Sequence, residues 1–359
     1  METSGTTKKQ VMKSLLFGLL LIISYEQRVV SYESGIREVG SFSDSVRKVI
    51  DSSIVLLRTY ALHRDRPDWD HVRERAYELA GQTSRWEDLG PAAAWLFEAV
   101  DDPHGWLSVK DTTFRWERPE PPFLSEALKK EFAKGNRIVR KLLPGGIGYL
   151  RVPGMVADTS EYNAYAQRLM DSLCALEAEG ARKIIIDLRL NAGGTMFPMM
   201  AGLSPLLGNG SFLGNADRKG KILDMTRLED GRFSSADGGV ARAVRKGARR
   251  RIDAGTPVVV LTGHGTGSAG ECVAVAFSGR KHTWFIGEPT AGYTTGNAGH
   301  WIMEGQVGIV IAETMMADRD HRCYPRNLVP DEWVPGGDDF MDLGQDKKVK
   351  TAVARLNGN

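Results

Sequence analysis

Two segments constrain the fold of this 359-residue chain more than any others. "KIIIDL" (183–188) and "PVVVLTG" (257–263) are unbroken apolar runs, and each leads within a few residues into glycines and a helix-like segment. A strand with one wet face alternates apolar and polar residues. A continuous short run is what a strand covered on both faces requires. Further strands read over "IGYLRV" (147–152), "HTWFIGE" (282–288) and "QVGIVIAETMM" (306–316). Between them lie amphipathic helices over "SEYNAYAQRLMDSLCALEAEG" (160–180) and "SAGECVAVAFSG" (268–279). "TMFPMMAGLSPLL" (195–207) reads as a helix interrupted at Pro198, and "GVARAVRKGARRRIDAG" (239–255) as a helix with a solvated basic face. Repeated β-α-β units predict an α/β core of mostly parallel sheet with flanking helices.

The N-terminal part differs. Residues 45–62 space Val46, Ile50, Ile54, Leu57 and Tyr60 at helical intervals. Residues 68–81 start a second helix, with Asp68 or Asp70 to cap it and Gly81 to end it, and residues 88–100 form a third. The expected organisation is a leader over 1–35, a small helical bundle over 36–105, a linker with a hairpin over 106–145, and the α/β core with a C-terminal helix over 146–359. In the leader, a basic flank precedes an apolar run from Leu15 to Ile23. That run is shorter than the roughly 20 residues of a membrane span and suits a signal-peptide core, which points to a periplasmic or secreted protein. If the run is an ordinary buried helix, the location is cytoplasmic.

A formal charge of +2 and an isoelectric point near 8.3 are too mild to argue for nucleic acid. Cys174, Cys272 and Cys323 form neither a disulfide framework nor a metal pair, and Cys174 and Cys272 read as buried small hydrophobes. The seven histidines lack metal-ligand spacing. No metal and no cofactor are expected; a homo-oligomer stays open.

Chemistry concentrates where the two apolar runs end. Ser268 in "GHGTGSAGE" follows a strand closely and opens a helix. Ligands of open α/β sheets bind beyond the carboxyl ends of strands, and a helix N-terminus offers free N–H groups. A serine there has an oxyanion site in the N–H groups just after it. Serine is also among the best helix caps, so the residue alone decides nothing. "NAGG" at the end of the other run lets backbone approach a ligand at Gly193 and Gly194. Asp187 and Arg189 read as braces for that turn, and Glu271, in the first turn of its helix, as a structural partner of the dipole.

In order and interval, "IIIDLRLNAGG", "GTGSAGE" and "IGEPTAGYTTGN" resemble the tail-specific (C-terminal processing) serine protease family. "DWDHVRERA…AVDDPHGWLSV" resembles that family's helical segment and "NLVPDEWV" its closing strand. The resemblance covers residues 45 to 355 and implies a crotonase- or ClpP-like core. It implies Ser268 as nucleophile, with an oxyanion hole from Ala269 and a glycine of "NAGG", Gly194 before Gly193. One branch of the family activates its serine with a lysine; Tyr293 stands at that position. The other, tricorn-like branch uses a histidine in a turn matched here by "DDPHGWL", which implies His104 as base, ahead of His264. No acid matches the third position, where Glu313 and Asp320 are the candidates. Thr290, Gly292 and Tyr293 are expected to wall the substrate groove. The 40 or so residues between His104 and Ile147 are too few for an inserted peptide-gripping domain. The implied function is a serine endopeptidase acting on extended or unfolded polypeptide. The competing reading is an inactive relative that binds an apolar small molecule.

Overall fold

The computed structural model describes residues 44–83, 85–118, 124–156, 158–236, 238–245 and 251–358. The leader expected over 1–35 lies outside them. Helix α1 (Asp44–Tyr60) buries Val46, Val49, Ile50, Ile54 and Leu57 along one stripe. Helix α2 (Trp69–Ala80) is capped by Asp68 rather than Asp70, with the Asp68 carboxylate accepting from the Asp70 and His71 N–H groups, and it stops at Gly81. Helix α3 (Gly90–Ala99) carries Pro91 in its first turn, where no N–H is needed. The three helices share a core with a second sheet described below, through Leu107, Val109, Val307, Ile309 and Ile311.

Residues 106–145 supply the hairpin β1 (Trp106–Val109) and β2 (Thr112–Phe114), helix α4 (Glu126–Phe132) and strand β3 (Val139–Leu143). Then come β4 (Ile147–Arg151), α5 (Tyr162–Glu179), β5 (Lys183–Asp187), α6 (Met196–Gly202) and α7 (Ser204–Leu207). Strands β6 (Leu213–Ala216), β7 (Ile222–Met225), β8 (Arg227–Glu229), β9 (Arg232–Ser234) and β10 (Val240–Arg242) follow. The chain continues with β11 (Val258–Thr262), α8 (Ala269–Phe277), β12 (Thr283–Gly287), β13 (Thr295–Met303), β14 (Val307–Asp318), β15 (Cys323–Tyr324), β16 (Glu332–Trp333) and α9 (Lys347–Leu356).

Six strands form the central sheet in the order β16-β12-β11-β5-β4-β3, all parallel except β3, which pairs antiparallel with β4. The apolar runs serve both faces, as expected. Ile184, Ile186, Val258 and Val260 point into the core beneath α5, α6 and α8. Ile185, Val259 and Leu261 point the other way, toward Val349, Ala352 and Leu356 of α9.

A second sheet is antiparallel, in the order β2-β1-β14-β6-β7, with β13 and β15 also on β14. "QVGIVIAETMM" is indeed a long strand, but it sits at the centre of this sheet rather than in the parallel one. Two helix expectations need correction. The start of "GVARAVRKGARRRIDAG" is strand β10, whose exposed–buried–exposed pattern has the period of a strand, and it closes a three-stranded ribbon with β9 and β8. Residues 246–250 of that segment lie outside the described residues. Pro198 does not interrupt its helix. It falls in the first turn of α6, and the break comes at Leu203, between α6 and α7.

Candidate functional site: a serine–histidine pair at the junction of two sheets

The parallel strands β5 and β11 lie side by side and end together, so the loops that follow them meet. Asp187 and Arg189 lock the first of these ends. Arg189 is fully buried and pairs with Asp187 at 2.7 Å and with Asp338 and Asp346 at 2.8 Å, while the Tyr149 hydroxyl donates to Asp187 at 2.6 Å. Burial would push Asp187 up, but the Arg189 guanidinium outweighs it and holds the carboxyl below its usual range. The second end is stitched to the first: Gly267 N–H donates to Asn191 O at 2.9 Å, and the Thr266 hydroxyl to Leu188 O at 2.9 Å.

Ser268 stands at the N-terminus of α8 with φ 51° and ψ −114°, a backbone that a residue with a Cβ rarely adopts. Glu271, one turn into the helix, holds it there. Its buried carboxylate accepts the Ser268 N–H at 2.9 Å and the Gly292 and Tyr293 N–H groups at 2.8 Å each. Burial pushes the Glu271 carboxyl up to about 7, against the pull of these hydrogen bonds and one from Thr290. The residue thus ties the serine to the loop between β12 and β13, a larger role than the dipole partner read from sequence.

His104 arrives from the turn after α3. Its Nε2 lies 3.1 Å from Ser268 Oγ. Its Nδ1 lies 2.7 Å from the hydroxyl of Thr295, the first residue of β13. The Thr295 hydroxyl donates to Asn297 Oδ1 at 2.9 Å, and Asn297 Nδ2 donates to the His104 carbonyl at 3.1 Å. The turn is fixed by Asp102, whose carboxylate accepts the N–H groups of His104 (3.0 Å), Gly105 (2.7 Å) and Ala312 (2.8 Å). Burial raises the Asp102 carboxyl to about 6. His104 and Ser268 are each only 6 % exposed, so the pair is screened from bulk water. Burial, then the positive charges of Arg115 and Arg118, hold the imidazole down to about 3, so it is neutral at physiological pH. A neutral imidazole whose Nδ1 carries the proton can accept another at Nε2.

Gly193 lies against the serine and Gly194 against Met155. A Cβ on Gly193 would come within 2.8 Å of Ser268 Cβ, and one on Gly194 within 1.9 Å of the Met155 carbonyl oxygen. Both have positive φ, 121° and 104°. Met155 N–H donates to Gly193 O, and Thr195 N–H donates to Met155 O. This parallel bridge turns the N–H of Gly194 itself away from Met155. Gly193 N–H is held by Asn191 Oδ1 at 3.2 Å. Ala269 N–H belongs to the first turn of α8, where no helical acceptor exists. Gly194 and Ala269 line one cleft of about 680 Å³ together with Ser268, His104, Met196 and Cys272.

The other expected residues are dispersed. Tyr293 packs on the His104 ring at 5.1 Å between centroids and is covered by Arg118, which donates to the Ala291 and Gly292 carbonyls at 3.1 and 2.8 Å. Gly292 lines a second cleft of about 660 Å³ on the far side of His104. Thr290 is buried behind the loop, where its hydroxyl accepts the Leu328 N–H at 2.9 Å, and it lines neither cleft. Glu313 lines the first cleft, but its carboxylate pairs with His300 at 2.6 Å. Asp320 lies beside Gly279, just past the C-terminal end of α8, whereas Ser268 is at its N-terminal end. Neither acid bonds the His104 ring. The hydroxyl that meets its Nδ1, that of Thr295, and the amide behind that hydroxyl, that of Asn297, stand in "YTTGN". Reading that stretch for carboxylates alone passes over them, and nothing local to it shows that β13 brings it to His104. His264 makes no hydrogen bond with Ser268. Cys272 is half-buried rather than buried and forms part of the cleft wall, with its Sγ 3.8 Å from Met316 Sδ. Burial, then the Glu271 charge, pushes its thiol up to about 12. Among the described residues no group of three or more His, Cys, Asp or Glu is placed to hold a metal ion.

Comparison with known proteins shows the family and the fold. The family model "Peptidase family S41" matches residues 146–333, more than half of the chain. The chain is 22% identical to the nisin-resistance protein of Lactococcus lactis subsp. lactis over 312 residues, 87% of this chain and 90% of that one. It is 30% identical to the carboxy-terminal processing protease CtpA of Bacillus subtilis (strain 168) over 193 residues, 54% of this chain and 36% of that one. Among solved structures it resembles a lipoprotein from Streptococcus agalactiae, with TM-score 0.62 and 18% identity over 90% of this chain and 99% of that one. It also resembles the photosystem II D1 C-terminal processing protease, with TM-score 0.55 and 14% identity over 87% and 98%. A serine at a helix N-terminus, beside a glycine turn and facing a histidine, thus sits in a fold shared with processing proteases, and the chain belongs to peptidase family S41.

Proposed function

We propose that the protein is a serine-type peptidase that cuts extended polypeptide, with Ser268 as nucleophile and His104 as base. The observation that carries the reading is the 3.1 Å approach of His104 Nε2 to Ser268 Oγ, in a water-screened site that opens on a cleft. Ser268 Oγ attacks the scissile carbonyl carbon while its proton passes to Nε2. The carbonyl oxygen becomes an oxyanion held by the N–H groups of Gly194 and Ala269, aided by the positive end of α8. As the intermediate collapses, Nε2–H protonates the departing amine. Water, deprotonated by the same nitrogen, then attacks the acyl carbon, and the C–Oγ bond breaks as Nε2–H returns its proton to Ser268 Oγ. Family membership and the similarity to processing proteases support a polypeptide substrate. The apolar N-terminal run, with the similarity to a lipoprotein, supports a place outside the cytoplasm. Among the described residues no helix is long and apolar enough to cross a membrane.

The test is cleavage of unfolded casein and a mixed peptide library by the wild type, Ser268→Ala and His104→Ala, with products read by mass spectrometry. Each variant is expected to lose about 10³-fold or more in kcat. Undiminished cleavage by Ser268→Ala would end the proposal. A folded but inert wild type would favour the small-molecule carrier.

A further inference from the structure

We infer that Thr295 and Asn297 are the positioning residues of this site and replace the acid of a Ser–His–acid triad with an uncharged relay. The inference rests on the Ser268–His104 reading and adds the part of the machinery that no acidic residue supplies. A base that takes a proton at Nε2 needs the other ring nitrogen protonated and held. Among the described residues the only side chain bonded to Nδ1 is that of Thr295, whose hydroxyl lies 2.7 Å away. A hydroxyl has one proton, and that of Thr295 points to Asn297 Oδ1 at 2.9 Å. Its lone pairs therefore face Nδ1, which must be the donor. The Asn297 amide orientation follows from its other end, because Nδ2 donates to the His104 carbonyl at 3.1 Å. The ring, the hydroxyl, the amide and the backbone of His104 thus form a closed loop with every donor matched to an acceptor. This loop selects the tautomer that leaves Nε2 free for Ser268.

Among the described residues no carboxylate bonds the ring in place of this relay. The charged and titratable groups around the ring are Arg115 and Arg118, Tyr293 on its face, and Asp102 behind the turn. The Asp102 carboxylate is spent on three backbone N–H groups rather than on the ring. With two arginines nearby and no carboxylate on Nδ1, the proton on that nitrogen is held by the Thr295 hydroxyl dipole. The ring stays neutral far into the acid range, in the direction that burial and the arginines impose.

Thr295→Val, Thr295→Ser, Asn297→Ala and Asn297→Asp, with Ser268→Ala as control, test the inference through the pH profile of kcat and KM on one cleaved peptide and through ¹⁵N NMR of His104. Thr295→Val is expected to lower kcat by about 10²- to 10³-fold with little change in KM, because the ring loses its fixed tautomer. Thr295→Ser is expected to restore most of it. Wild-type NMR should show Nδ1 protonated and Nε2 not. Asn297→Asp, which adds a charge near the ring, should move the acid limb of kcat and the imidazole titration to higher pH. Wild-type kcat and an unchanged tautomer in Thr295→Val, beside a dead Ser268→Ala, would overturn the relay and leave the serine peptidase standing. An active Ser268→Ala would overturn both.

Discussion

At the scale of single residues, the site depends on backbone that few side chains tolerate. Ser268 is held at positive φ by its surroundings, and Gly194 passes so close to Met155 that a methyl group cannot be accommodated. In Gly194→Ala the Met155 carbonyl, which accepts the Thr195 N–H at 2.6 Å, has to move, and the Gly194 peptide that lines the cleft shifts with it. The expected result is a loss of about 10²-fold or more in kcat, the scale of one oxyanion donor, with a lower urea midpoint. Kinetics and urea unfolding of the purified variant check this, and normal turnover would remove Gly194 from the oxyanion site. Both glycines and the serine are legible in sequence, because each borders a strand end. The orienting residues are not. A threonine and an asparagine in a loop carry no signal until a second sheet brings them to an imidazole.

At the scale of elements, Glu271 joins α8 to the loop before β13. Its carboxyl titrates near 7 in the fold, against an ordinary value of 4.5. Between those values the folded chain binds more protons than the unfolded one, so this group's contribution is complete below about 4.5 and is lost as pH rises through about 7. Glu271→Gln lacks that titration. The stability difference between wild type and Glu271→Gln should therefore shrink from pH 4.5 to pH 7.5 in urea unfolding; a constant or widening difference would contradict the assignment. In Gln the amide NH₂ also opposes one of the three N–H donors, so kcat should fall as Ser268 loosens. The segment 239–255 shows where element-scale reading misleads. Its basic residues suggest a helix face, but Val240–Arg242 follow the period-two burial of a strand edge against β9.

At the scale of the whole molecule, the site exists only where three bodies meet. The central sheet and α8 carry Ser268, the helical segment ends at His104, and the second sheet carries Thr295 and Asn297. The helices reach the site by packing on β1 and β14, so their core bears on catalysis. Leu57 is fully buried there, and Leu57→Ala should cost about 2–5 kcal/mol in urea unfolding. It should also reduce kcat below the unfolding transition by loosening the turn that carries His104. Full activity with the same loss of stability would show that Asp102 and Asn297 hold the turn without help from the helical core. The sequence by itself determined the parallel core, the capped helices, and the glycine and serine positions at the two strand ends. Those follow from hydrophobic period and chain chemistry within about twenty residues. Tertiary structure alone decided that β14 centres an antiparallel sheet and that His104 faces Ser268 across 164 positions of chain. It also decided that the alcohol of Thr295, backed by the Asn297 amide, rather than Glu313 or Asp320, meets Nδ1. Side-chain hydrogen bonds need placement to within a few tenths of an ångström, and only the packing of distant elements provides it.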